Sequence, residues 1–205
     1  MIELINITKK FNERVVINNL NLSIKKNEFV SLTGLSGSGK TTILNIIGMI
    51  VKPTAGDVVI NGSKNFSSKE IQNLRRYHFG YIFQNYALIE NETVEKNFEL
   101  SKKFNSSYSD TLVLEVLKTV GLNQTYLKEK VYNLSGGEQQ RVAIARTMLK
   151  KCDIILADEP TGNLDETNKK IVIDLLLKLK ESGKTIICVT HDKDVANAAD
   201  RIIKI

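Results

Sequence analysis

The 205-residue sequence predicts an α/β domain with parallel strands at its centre. Three observations carry that prediction. Short aliphatic runs alternate with longer segments of helical period. A glycine-rich stretch joins the strand-like Glu28–Thr33 to the helix-like Lys40–Val51. The strand signal stops between about Ala87 and Lys150, where helical patterns take over, so a helical subdomain is expected inside the α/β body.

Taken in order, Glu28-Phe-Val-Ser-Leu-Thr33 is a buried strand and Lys40–Val51 the helix after it. Asp57–Asn61 and Gly80–Phe83 are further strands, and Asp153–Ala157 is a strand of almost pure aliphatic character. Glu166–Ser182 is a helix with Ile171, Leu175, Leu176 and Leu179 on one face and Gly183 just past its end. Lys184–Thr190 is the next strand and Arg201–Ile205 a short last one. In the helical segment, Thr111–Val120 carries Leu112, Leu114, Val116 and Leu117, and the Ser/Asn-rich Phe104–Asp110 is a loop. Neither a repeat nor a low-complexity tail is present. The expected organisation is one domain over 1–205, with 1–86 and 151–205 as the α/β core and about 87–150 as the helical part.

A chain of this size buries roughly 70% of its unfolded surface, so its core needs no disulfide or metal. The charge balance, 29 Lys+Arg against 23 Asp+Glu, gives +6. That is compatible with nucleic acid, anionic lipid or polyphosphate, and equally with a solvated lysine-rich surface. Cys152 and Cys188 form no CxxC pair, and no zinc site is indicated. Cys188, in the apolar run Thr185–Thr190, is a small core residue. Met1-Ile-Glu-Leu lacks the basic start of a signal peptide. No stretch approaches the roughly 18 apolar residues of a membrane span. A soluble, cytoplasmic chain is therefore expected, with any membrane spans on another chain.

The strongest chemical signal is Gly34-Leu-Ser-Gly-Ser-Gly-Lys-Thr41, a G-x-x-x-x-G-K-[ST] match between strand and helix. Glycines let the backbone curl so that several N–H groups face one anion, and the following helix adds its positive end. Lys40 can reach the outer phosphates, and the Thr41 hydroxyl can ligate Mg²⁺. Next, Ile154-Ile-Leu-Ala-Asp-Glu159 delivers two acids at a strand end, where open α/β sheets place their ligands. Asp158 suits the surroundings of Mg²⁺, and Glu159 suits orienting or deprotonating a water. Third is Leu134-Ser-Gly-Gly-Glu138. Ser135 and Glu138 have capping-box spacing, so a plain helix start accounts for them. It does not account for two glycines there, which weaken the helix but let an anion come close.

In this order, Gly34–Thr41, Leu134–Glu138 and Ile154–Glu159 resemble the ABC ATPases, whose LSGGE-type motif separates them from other phosphate-loop NTPases. The resemblance implies a phosphate-loop NTPase fold with a mostly parallel central sheet, an antiparallel β subdomain and an inserted helical subdomain. It implies ATP hydrolysis with Mg²⁺. Gln84, after Gly80-Tyr-Ile-Phe83, falls where the family has a Mg²⁺- and water-binding glutamine at the hinge to the helical part. His191 resembles the family's γ-phosphate-sensing histidine, and Asn163-Leu-Asp165 its subunit-contacting loop; Asp165 also suits an N-cap. Phe11 falls where the family stacks an aromatic on adenine. His78 and Tyr81 are structural.

By this resemblance the catalytic residues are Glu159, His191, Lys40 and Gln84, and the metal residues Thr41, Gln84 and Asp158. The nucleotide is held by Phe11, by Gly34, Leu35, Ser36, Gly37, Ser38, Gly39, Lys40, Thr41 and Thr42, and by Ser135, Gly136, Gly137, Glu138 and Asp165. The family pattern is a head-to-tail dimer in which the serine–glycine cap of one chain closes over ATP held by the other. Movement would pass through Gln84 and Asn85–Glu90 to an integral-membrane permease in a separate chain, with the ATPase peripheral on the cytoplasmic face. Within the family, Gly80–Asn85, Leu134–Arg146 and Ala157–Asp165 are most similar to the lipoprotein-release, macrolide-export and antimicrobial-peptide group. The chain's end at Ile205 is similar to bacteriocin-export members. Leu35, where that group commonly has proline, and Gly48-Met-Ile-Val51 depart from its pattern. The expected function is powering the export or release of a peptide, lipoprotein or antimicrobial compound. The alternative, an ABC ATPase acting on DNA or ribosomes, lacks a coiled coil or second ATPase unit here, and no nucleic-acid partner is expected.

Overall fold

The computed structural model describes residues 1–205. The chain opens with β1 (Ile2–Phe11) and β2 (Arg14–Ile24), followed by β3 (Phe29–Thr33), α1 (Lys40–Ile47) and β4 (Ala55–Ile60). Next come α2 (Ser68–Asn73), a π-helical turn at Leu74–His78 and β5 (Phe79–Phe83). The helical stretch holds α3 (Val94–Lys102), α4 (Asp110–Thr119) and α5 (Gly136–Leu149), with 3₁₀ turns at Gln124–Lys128 and Val131–Asn133. Then β6 (Ile154–Asp158), α6 (Glu166–Glu181), β7 (Thr185–Val189), α7 (Lys193–Ala198) and β8 (Arg201–Lys204) complete the chain.

β3, β5, β6, β7 and β8 form one five-stranded sheet in the order β5-β6-β7-β3-β8. Every pair in it is parallel. Such a sheet needs both faces covered, which is why its central strands β6 and β7 read as almost unbroken apolar runs. Side chains alternate between the faces. Phe29, Ile155, Ala157, Ile186 and Cys188 point into one cluster with Val142 and Ile144 of α5, Val172 and Leu175 of α6, and Val94, Phe98, Val113 and Val116 of α3 and α4. Val30, Leu32, Leu156, Ile187 and Val189 point the other way, onto Ile43, Leu44, Ile46 and Ile47 of α1. Beyond α1 lies a three-stranded antiparallel sheet, β2-β1-β4, which adds Ile2, Leu4, Ile7 and Ile17 to that cluster.

The fold matches the expected one, with local differences. The first helix ends at Ile47 rather than Val51, because Gly48 caps it and Met49 turns away at φ 58°. Gly48 also lies against Tyr81, whose hydroxyl donates to the Gly48 carbonyl at 2.7 Å. β1 and β2 carry no clear strand period in the sequence. Asn6 sits at φ 50° and the pairing shifts register between Leu4 and Ile7, so the apolar alternation breaks there.

Candidate functional site

Each of four adjacent central strands ends in a loop carrying a residue singled out above. β5 runs into Gln84, β6 into Asp158 and Glu159, β7 into Thr190 and His191, and β3 into Gly34. Since all are parallel, these loops meet at one edge of the sheet.

The Gly34–Thr41 loop uses glycine where the backbone demands it. Gly37 and Gly39 lie at φ 78° and 95°, and a Cβ on Gly39 would meet Val16 Cγ1 at 3.1 Å. α1 begins with no side-chain cap and no acid in its first turn. The other six α-helices all have a capping side chain, from Ser67, Thr93, Ser109, Ser135, Asp165 and Asp192. An uncapped start leaves backbone N–H groups and the positive end of the helix for an external anion. Ser38 Oγ is buried with no partner in the chain, a further group suited to an anion's oxygen. Lys40, only 9% exposed, folds back so that Nζ donates to the carbonyls of Gly34 (3.0 Å) and Leu35 (2.7 Å). The site is thus a cationic, amide-lined cradle of phosphate type. Ser36, Gly37, Gly39, Lys40, Thr41 and Thr42 line one cavity with Glu159.

Arg14 and Val16 of β2 line it too. Sequence reasoning missed both, because only tertiary folding brings the β1–β2 hairpin against the loop. Phe11 lies at the end of β1, paired with Arg14 across the hairpin. Its ring is half exposed and Lys9 Nζ stands 4.7 Å from its centre.

At the neighbouring strand ends, the Thr41 hydroxyl donates to Asp158 Oδ1 at 3.0 Å. Burial pushes the Asp158 carboxyl up, Thr41 pulls it down, and Glu159 adds repulsion. A hydroxyl and a carboxylate oxygen side by side are the hard oxygen donors Mg²⁺ takes alongside water and phosphate, so the residues fit that ion. Glu159 sits at φ 47°, a left-handed conformation that is strained for a non-glycine residue and concentrates at functional sites. It is held there by its N–H donating to Val189 O at 2.9 Å and its carbonyl accepting from Gly162 N at 3.0 Å. Glu159 Oε2 lies 2.9 Å from His191 Nδ1 and also accepts from the His191 N–H at 3.3 Å. Gln84 rests on Gly162, where a Cβ would meet its Nε2 at 3.0 Å, and it lines a cavity with Asp158 and Asn163. Lys40, Thr41, Gln84, Asp158, Glu159 and His191 are therefore gathered at one place.

Ser135–Glu138 stands apart. No hydrogen bond joins it to the phosphate loop. The capping box is real: the Ser135 N–H and hydroxyl donate to Glu138 Oε2 at 2.8 and 2.7 Å, and the Tyr126 hydroxyl donates to Oε1 at 2.5 Å. The Tyr126 bond, then Ser135, holds the Glu138 carboxyl below its usual range. Glu138, grouped in the sequence reading with nucleotide-binding residues, thus turns its carboxylate into the cap and positions Ser135. Asp165 caps α6 by accepting from the Asn168 N–H at 2.8 Å. Asn168 also accepts from Arg141 and packs on Gly137, so the start of α6 is tied to the start of α5.

Comparison with known proteins agrees with this fold. A family model described as ABC transporter matches residues 17–162. The uncharacterized ABC transporter ATP-binding protein MJ0796 of Methanocaldococcus jannaschii is 44% identical, over 99% of this chain and 92% of its own length. A dimeric structure of MJ0796 in a post-hydrolysis state, bound to ADP and Pi, superposes with TM-score 0.89 at 43% identity, covering 100% of this chain and 94% of that one. The macrolide export ATP-binding/permease protein MacB of Bartonella henselae is 41% identical over 93% of this chain, which spans only 29% of MacB.

Proposed function

The chain belongs to the ABC transporter family, and from that membership we propose that it is the ATP-hydrolysing subunit of an export-type transporter, working as a head-to-tail dimer beneath a separate permease. The observation that carries the reading is the convergence of the uncapped α1, Lys40, the Thr41–Asp158 pair and the Glu159–His191 pair at one sheet edge.

The α1 amides and Lys40 bind the triphosphate and neutralise its charge, which is most of what phosphoryl transfer asks of a protein. Thr41, Asp158 and Gln84 would hold Mg²⁺, which would offset the negative charge of the phosphates. Glu159 orients a water and accepts its proton at Oε2, the oxygen now shared with His191. His191, with its ring largely exposed, swings to the γ-phosphate as Glu159 takes the water. Phe11 lies under adenine. Ser135, Gly136 and Gly137 of a second copy seal the nucleotide, with Asp165 near the contact.

No helix is long and apolar enough to cross a membrane, so we assign the spans to the permease. MacB, and the probable syringafactin export protein SyfD of Pseudomonas syringae, are named as ATP-binding/permease proteins, and this chain spans about a third of each. Those names support a permease partner and an exported cargo, which we take to be a peptide, lipoprotein or antimicrobial compound. The test is phosphate release by purified protein with Mg·ATP, alone and with the co-expressed permease. No release in either case would refute the reading.

A further inference from the structure

Resting on the ATPase reading, and reaching into its regulation, we propose that Gln140 is a positioning residue that links the Ser135–Gly137 cap to Glu159 of the same chain. Gln140 lies one turn into α5 and is fully buried. Its Nε2 donates to the Pro160 carbonyl at 2.6 Å, while its Oε1 has no partner. A buried amide whose oxygen has no partner is a poor way to stabilise a core, where an apolar side chain of the same volume would do better. The bond therefore needs another reason, and its acceptor supplies one.

Pro160 follows Glu159 directly. Glu159, Pro160, Thr161 and Gly162 form a turn closed by Gly162 N–H to Glu159 O at 3.0 Å. Thr161 is not at positive φ, so the turn is of the type I family. The Pro160–Thr161 peptide is the one whose flip would convert it to type II. Gln140 grips that peptide by its carbonyl, and the β-branched Thr161 resists the positive φ a flip would need. The turn in turn fixes the left-handed Glu159. A second strand of the same link runs from Arg141 through Asn168 to Asp165. Since α5 begins at the cap that meets the other copy's nucleotide, tilting α5 on closure reaches the chain's own Glu159 through Gln140. Each site thereby senses whether its neighbour is filled.

The variant to make is Gln140→Met, which keeps volume and removes the donor. The expected result is a kcat about tenfold to hundredfold lower, the scale of a small misplacement of a catalytic group, with KM for ATP within about twofold and no fall in melting temperature. Because Gln140 acts through Glu159, adding Q140M to E159Q should leave the single-turnover rate of E159Q unchanged. A wild-type kcat, a loss confined to KM, or a double variant slower than E159Q by the full Q140M factor would each overturn the link. If E159Q itself hydrolyses ATP normally, the failure lies in the ATPase reading underneath.

Discussion

Replacing Lys40 by methionine separates what this side chain does for the fold from what it does for a nucleotide. Lys40 is nearly buried, and Nζ is satisfied by the carbonyls of Gly34 and Leu35 at 3.0 and 2.7 Å. Removing it forfeits two charge-assisted bonds of about 1.5–3 kcal/mol each. It also removes an ammonium whose burial carries a penalty of several kcal/mol, and methionine refills the volume. The two terms oppose each other, so stability should shift by no more than about 1 kcal/mol, a melting change within about 4 °C at this chain length. Binding has no such compensation. The phosphate loses one charge-assisted partner, worth about 1.5–3 kcal/mol, which is roughly a 10- to 150-fold weaker dissociation constant. Calorimetric titration with a non-hydrolysable ATP analogue and Mg²⁺, beside a thermal melt, measures both. An affinity within about threefold of wild type, with the melt unchanged, would refute the phosphate cradle.

Other substitutions test the rest of the site. Glu159→Gln should bind ATP normally, lose about 10²- to 10⁴-fold in kcat and accumulate as an ATP-bound dimer in size-exclusion runs; monomer alone would count against the shared site. Asp158→Asn should raise the melting temperature at pH 7 while abolishing hydrolysis. Burial raises the folded-state pKa of Asp158, so its favourable contribution is present below the unfolded value and lost as pH rises through the folded one. The asparagine advantage should therefore shrink toward pH 4, and a lower melting temperature for the variant at pH 7 would contradict this. Gly137→Ala should cut hydrolysis at least about tenfold without weakening ATP binding to the monomer. Its Cβ would stand 2.3 Å from the Asn168 side chain, which Asp165 and Arg141 hold in place.

What was legible in the sequence was whatever one segment dictates by itself. Gly34–Thr41 needs glycine at defined φ, so its composition announces it. β6 and β7 are buried on both faces and read as aliphatic runs. The capping box at Ser135 and the cap at Asp165 are local, and both formed. What escaped depends on distant parts of the chain. Arg14 and Val16 look like any hairpin residues until the antiparallel sheet lays them over the phosphate loop. Gln140 follows another glutamine in a helix and nothing nearby marks it as the buried one; only the packing of α5 beneath Pro160 does. β1 was missed because a left-handed Asn6 and two further register shifts break its period.

The two glycine-bearing helix starts explain each other. At α1 no side chain occupies the amides, and Lys40 waits beside them. At α5 the capping box satisfies the Ser135 and Glu138 N–H groups but leaves those of Gly136 and Gly137 donating to nothing in the chain. A box that served only to start the helix would favour a bulky helix former after the serine, since glycine weakens the first turn. With glycine there, the backbone is bare to an approaching anion while the serine is still held in place. The two starts pack on different parts of the molecule: the phosphate loop against Val16 of β2, the α5 cap against Asn168 of α6. In the head-to-tail dimer proposed above, a second copy would bring its cap to the first copy's cradle. That pairing would account for both starts, each chain lending its cap to the partner's cradle and borrowing the partner's cap in return.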